Sequence, residues 1–143
     1  MSKSSRRTFL QSSSSVVVTT LASTAIHGAT APPSERVRVG IMGASGLAHS
    51  LISTFSSNPN VEVVAIADLD PSHIPNGLAT AEKNQGRSVR TESDFRRLID
   101  DDSIDALVIG TPDHWHAIPT ILACQAGKDV YVEKPDSHNI VEG

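Results

Sequence analysis

An α/β fold is predicted for this chain of 143 residues, with a doubly wound parallel sheet that is incomplete at its C-terminal end. Three observations predict it. Apolar runs of strand length recur at Val37–Met42, Val61–Ala67, Asp105–Gly110 and Asp129–Val132, separated by stretches of helical periodicity. The spacing between runs matches parallel strands joined by crossover helices. Polar or glycine-rich residues gather directly after the strands, where open α/β sheets bind their ligands.

The chain opens on a segment unlike the rest. Met1 to Ala31 holds no acidic residue, carries Lys3, Arg6 and Arg7, and continues through a weakly apolar stretch around Val16–Val18 and Leu21 to the small-residue run Ala29-Thr30-Ala31. Cationic start, apolar stretch and small-residue site follow the order of an export signal. Ser5-Arg6-Arg7-Thr8-Phe9-Leu10 resembles the twin-arginine form, so a periplasmic or secreted destination is expected. The apolar stretch is too short and too rich in Ser and Thr for a membrane span. Residues 32–36 read as a linker, and 37–143 as the folded domain.

Val37, Val39 and Ile41 alternate with Arg38, Gly40 and Met42, the period-2 pattern of a strand. Gly43 and Gly46 follow, and Leu47, Leu51, Ile52 and Phe55 then recur at helical spacing. A glycine turn between strand and helix lets the backbone approach a phosphate, and the helix's first N–H groups and dipole favour negative charge there. Against the pattern G-x-G-x-x-G/A the chain offers Gly43, Ser45 and Ala48, with a side chain at the second position. Asn58-Pro59-Asn60 is a turn, and VEVVAIA (Val61–Ala67) a strand covered on both faces. Asp68 ends that strand, where a carboxylate can accept hydrogen bonds from ribose hydroxyls and repel a 2′-phosphate. It therefore favours NAD over NADP. Asp70 is a second candidate.

Pro75, Asn76 and Gly77 interrupt the next stretch, which confines its helix to Leu78–Asn84. Ser88–Arg90 reads as a short strand, and Thr91–Asp101 as a helix capped by Thr91 or Ser93 with Phe95, Leu98 and Ile99 on one face. Asp100, Asp101 and Asp102 lack the alternating ligands and glycine of a calcium loop and read as a solvated helix end. After the strand at 105–110 come Thr111, Pro112, Asp113, His114, Trp115 and His116. Ile118, Ile121, Leu122 and Ala126 suggest the inner face of a helix, with Cys124 as a small core residue and Gly127 at the C-cap. Glu133-Lys134-Pro135 ends the last strand.

Composition excludes some classes. The net charge is −4 and the only basic cluster is at the extreme N-terminus, which argues against nucleic acid. A single cysteine forms no internal disulfide, and no Cys/His spacing suggests zinc.

From Arg36 onward the residues resemble the Gfo/Idh/MocA oxidoreductase family. The resemblance rests on Thr111-Pro112, His116, Ala123, Gly127-Lys128 and Glu133-Lys134-Pro135, in that order and spacing. It implies a Rossmann-like NAD-binding domain in which Gly43, Ser45, Gly46 and Ala48 cradle the pyrophosphate and Asp68 binds the adenosine ribose. By the same resemblance Thr111, Pro112, Trp115 and His116 line the nicotinamide side, and Glu133 contacts the cofactor's sugar or amide. Lys134 then faces the reacting carbon of a sugar-like substrate as the catalytic residue. Asp136 departs from the apolar residue usual after Glu-Lys-Pro. Family members carry a second, α+β domain that completes the substrate pocket and the oligomer interface. The sequence is therefore expected to be an N-terminal fragment that is inactive by itself, with oligomers expected only alongside that domain. The alternatives are a non-catalytic dinucleotide-binding module and an inactive truncated product.

Overall fold

The computed structural model describes residues 35–141 and 143. The expected leader and most of the linker lie outside the described residues. Five parallel strands form one sheet in the order β3-β2-β1-β4-β5. They are β1 (Val37–Met42), β2 (Val61–Ala67), β3 (Arg90–Glu92), β4 (Ala106–Ile109) and β5 (Asp129–Val132). The intervening helices are α1 (Leu47–Ser56), α2 (Ile74–Gln85), α3 (Arg96–Ile99) and α4 (Ala117–Gln125). The predicted fold class is thus observed, and β1, β2 and β5 have their expected bounds. The strand order reverses between β1 and β4, so the carboxyl ends of these two neighbours form the crevice where such sheets take ligands.

Each face of the sheet carries a core cluster. Val39, Ile41, Val63, Ile66 and Val108 pack with Leu51 and Ile52 of α1 and Ala81 of α2. Met42, Ala67, Leu107 and Ile109 pack on the other face with Phe95, Leu98, Ile104 and Ala123. In β1, Val39 through Met42 are all buried. Gly40 lies under Leu98 and Ile104, whose side chains would stand 3.1–3.4 Å from an added Cβ.

The helices differ more. Pro75 sits in the first turn of α2, where its missing N–H costs nothing, so this helix starts four residues earlier than predicted. Gly77 lies inside it because Ile52 Cδ1 would be 2.8 Å from any Cβ there, which sets how closely α1 and α2 approach. Strand β3 lies two residues later than expected. Thr91 therefore belongs to a strand and caps nothing, and α3 is a single turn whose Arg96 N–H donates to Asp94 Oδ1 at 3.0 Å. Along α4, Pro119 and Ala123 are the buried residues, whereas Ile118, Ile121 and Leu122 are exposed, the reverse of the expected inner face. Cys124 is exposed and not a core residue. The C-cap of α4 is Ala126, and Gly127, with φ +76°, follows one position beyond its expected place as the left-handed residue that stops the helix.

The acid cluster is structural. Asp101 accepts from Ser103 N–H at 2.8 Å and from the Arg90 guanidinium. Hydrogen bonds from Ser103 and Arg90 hold its carboxyl at about 2, against an ordinary 3.8. A carboxylate depressed in the folded state stabilises fully above its unfolded value and loses that contribution as pH falls through the folded one. The urea midpoint is expected to drop between about pH 4 and about pH 2, and Asp101→Asn should flatten that drop.

Lys128 is nearly buried, and its Nζ donates to the carbonyls of Asp101 and Ile104, each at 2.8 Å. Lys128→Met would leave both carbonyls without this donor and should cost about 1–3 kcal/mol in denaturant unfolding.

Candidate functional site

A cavity of about 690 Å³ opens at the carboxyl ends of β1, β2, β3 and β4. Its floor is the turn after β1. Gly43 has φ +97° and Gly46 φ +55°, a region that side chains beyond glycine rarely enter. An added Cβ on Gly43 would stand 3.1 Å from Ala48 Cβ and 3.3 Å from the Gly110 carbonyl, whereas at Gly46 nothing lies within 4 Å. The first glycine is thus fixed by packing as well as by backbone shape, and the second by shape alone. Ser45 is exposed on the cavity wall. Gly46 starts α1 with no side-chain cap and no acidic residue in the first turn, which leaves the helix's positive end to a ligand.

Asp68 fastens this turn to β2. Its Oδ2 accepts from Ala44 N–H at 2.9 Å and its Oδ1 from Asp70 N–H at 2.9 Å. Each carboxylate oxygen has a second lone pair, so acceptor capacity remains for hydroxyl groups. His73 stands 3.4 Å from Asp68 Oδ1 and 3.6 Å from Asp70 Oδ2. Hydrogen bonds from Ser72 hold the Asp70 carboxyl below the usual range.

Thr111, Pro112, His114 and Trp115 close the far side. Trp115 packs edge-on to Phe95, with ring centroids 6.1 Å apart, and Thr111 Oγ1 donates to the Trp115 carbonyl at 3.2 Å. Met42, Leu47, Leu69 and Phe95 make the remaining wall largely apolar. Flat heterocyclic rings suit such a surface, and the polar groups at the turn and at Asp68 suit phosphate and ribose.

Of the predicted site residues, the cavity brings together Gly43, Ser45, Gly46, Asp68, Thr111, Pro112 and Trp115. Four fall outside its wall. Ala48 is fully buried beneath Gly43 and Gly110, where its small size permits close packing of α1 on the sheet. His116 is 2% exposed, behind the wall and not on it. Glu133 Oε1 accepts from the Tyr131 hydroxyl at 2.9 Å, which raises the phenol's pKa, and Lys134 is exposed beyond the end of β5. Sequence reasoning missed Leu69 and His73 after β2 and Ser93, Asp94 and Arg96 after β3. The one signal that could have found them is the convergence of loops at the carboxyl ends of parallel strands.

Comparison with known proteins bears on the same region. The sequence model of the Gfo/Idh/MocA family, described as an oxidoreductase family with an NAD-binding Rossmann fold, matches residues 37–142. A glycosyl hydrolase family 109 protein of Solibacter usitatus is 31% identical over 126 residues, covering 84% of this chain and 29% of the relative. An alpha-N-acetylgalactosaminidase of Shewanella oneidensis is 32% identical over 114 residues, covering 77% and 25%. Among solved structures, the WlbA dehydrogenase of Bordetella pertussis, in complex with NADH and UDP-GlcNAcA, has 28% identity and a TM-score of 0.61 over 75% of this chain and 31% of that one. The myo-inositol dehydrogenase of Lactobacillus casei, in complex with NAD(H) and myo-inositol, shares the fold at 23% identity and a TM-score of 0.64, again over 75% of this chain and 31% of that one. The chain spans between a quarter and a third of the length of these proteins. With its parallel sheet and its glycine turn at the strand-order reversal, it belongs to the Gfo/Idh/MocA oxidoreductase family, through that family's NAD-binding Rossmann domain.

Proposed function

We propose that the cavity binds NAD in preference to NADP, and that the chain is the cofactor-binding part of an oxidoreductase acting on a CH–OH group of a sugar-like substrate. The observation that carries this reading is the junction of the glycine turn with Asp68, where an uncapped helix start lies beside a carboxylate tied to Ala44 N–H. Main-chain N–H groups and the dipole of α1 offset pyrophosphate charge. Asp68 accepts from the ribose hydroxyls and disfavours a 2′-phosphate by like-charge repulsion. Thr111, Pro112 and Trp115 bound the nicotinamide end. Bound NAD supplies an acceptor for hydride from a carbinol carbon. Beside it Lys134, as the family resemblance implies, stabilises negative charge on the substrate oxygen while Glu133 orients the cofactor's sugar or amide.

The glycosidase names of two relatives favour a glycoside as substrate. With a glycoside, a bound cofactor that accepted a hydride and gave it back would support cleavage with no net oxidation. The leader points to twin-arginine export of the folded chain, consistent with Arg6-Arg7 and the small-residue run before Pro32. Lys134 beyond the cavity wall favours a second reading, binding without chemistry.

Calorimetric titration of the chain with NAD and NADP tests the proposal. NAD is expected to bind more tightly. Equal or tighter binding of NADP would overturn the selectivity, and no heat with either would overturn the binding. Hydride transfer from a sugar panel, followed by NADH absorbance with a protein in which this domain is joined to the second, substrate-binding domain, separates the catalytic reading from the second reading.

A further inference from the structure

His116 is enclosed at the start of α4, and its carbonyl accepts from Thr120 N–H at 3.2 Å and from Thr120 Oγ1 at 2.7 Å. Its ring spans two strand ends. Nε2 lies 2.6 Å from the Thr111 carbonyl oxygen and Nδ1 lies 2.5 Å from that of Pro135. Both partners can only accept. A neutral imidazole has one N–H and one lone pair. With a neutral ring, one carbonyl would face a lone pair at hydrogen-bond distance, and that contact would open.

We propose that His116 is a positioning residue whose ring carries both protons and donates at once to the carbonyls of Thr111 and Pro135, holding the Lys134 segment against the cavity wall. Thr111 belongs to that wall, and Pro135 directly follows Lys134. The ladder between β4 and β5 ends one step earlier, at Glu133 N–H to the Ile109 carbonyl, 3.1 Å. Past that bond the His116 ring cross-links the turn to the residue next to Lys134, and a second contact, His138 Nδ1 with Asp113 Oδ2 at 3.0 Å, joins the same two segments farther along. A buried cation is tolerated when its donors are all used, and both are used here. The charged or titratable groups on the surrounding elements are Asp113 and His114 on the turn before α4, Cys124 on α4, and Glu133, Lys134, Asp136 and His138 after β5. The functional consequence rests on the cavity being the NAD site. The state of the ring does not.

Nitrogen-15 NMR of histidine-labelled whole chain, without nucleotide and at neutral pH, reads the ring directly. His116 is expected to show two exchange-protected ring N–H groups, each coupled through its hydrogen bond to the carbonyl carbon of Thr111 or Pro135. A ring with a single proton overturns the proposal. A second measurement reads the positioning. With lysines carrying 13C-methyl groups, the Lys134 signal is expected to move on NADH addition in the parent chain, to lose that response in His116→Ala and to regain part of it in His116→Asn, which keeps one donor. An undiminished response in His116→Ala, with NADH bound, overturns the positioning role. Absence of NADH binding in the parent chain would count against the cavity and leave the ring result standing. Should His116→Ala fail to fold, the ring measurement decides.

Discussion

Replacing Gly43 with valine is expected to abolish NADH binding and to destabilise the chain by about 2–5 kcal/mol, the sum of backbone strain and overpacking. The two contributions have separate origins. At φ +97° a β-branched residue is strained wherever it stands. The first carbon beyond Cα would also press on Ala48 Cβ at 3.1 Å and on the Gly110 carbonyl at 3.3 Å. Ala48 is fully buried and Gly110 is tied to β1 through its N–H to the Met42 carbonyl at 3.0 Å, so neither yields cheaply. Gly46→Ala is the comparison that isolates strain. It meets nothing within 4 Å, and a cost of about 1–3 kcal/mol is expected from its backbone alone, φ +55° with ψ −124° being a conformation that residues with a Cβ rarely adopt. Urea unfolding of both variants, with NADH titrations beside it, checks the ranking. Equal destabilisation would mean that the packing at Gly43 is looser than the geometry indicates.

Asp68→Ala should weaken NADH binding by about 10- to 100-fold, the range for losing hydrogen bonds to a charged acceptor, while changing NADPH binding much less. The ratio of the two dissociation constants therefore carries the information. Part of the loss has nothing to do with ribose, because Ala44 N–H and Asp70 N–H lose their acceptor and the turn loosens. Asp68→Asn separates these effects. Its amide oxygen can still receive Ala44 N–H, but the charge that repels a 2′-phosphate is gone. In that variant NADPH should approach NADH in affinity, with the folding stability close to that of the parent. Asp70 remains ionised nearby, its carboxyl held low by Ser72, so some discrimination should persist.

The sheet was legible because its strands are written as buried apolar runs. Val61–Ala67 was bounded correctly for that reason, whereas Asp129–Val132 was bounded correctly although its residues alternate between exposed and half-buried. Helices were read less well, since their burial depends on what covers them. Ile118, Ile121 and Leu122 have helical spacing and look like an inner face, but the sheet is met by the smaller Pro119 and Ala123. Pro75 was taken as a breaker where it starts a helix, because proline's effect depends on which turn it occupies. The glycine turn and Asp68 could be found from spacing alone, being local features of one strand, turn and helix. His73 and Arg96 could not. His73 precedes the first residue of α2 and Arg96 opens the single-turn α3, neither within a motif, and they join the cavity only because parallel strands end on one side. His116 was named for the right region but given the wrong surface, as a motif fixes position along the chain and not which way a ring faces.

The central claim, that this cavity holds the dinucleotide with its nicotinamide beside Trp115, can be tested through that residue's own fluorescence. Trp115 is the chain's single tryptophan and stands in the cavity wall, so emission from the folded chain reports on the site itself. NADH absorbs where tryptophan emits, and titration should quench Trp115 to a saturating limit with matching sensitised emission from the nicotinamide, while NADPH does so only at much higher concentration. A decline that follows light absorption alone, without saturation or sensitised emission, would contradict the claim.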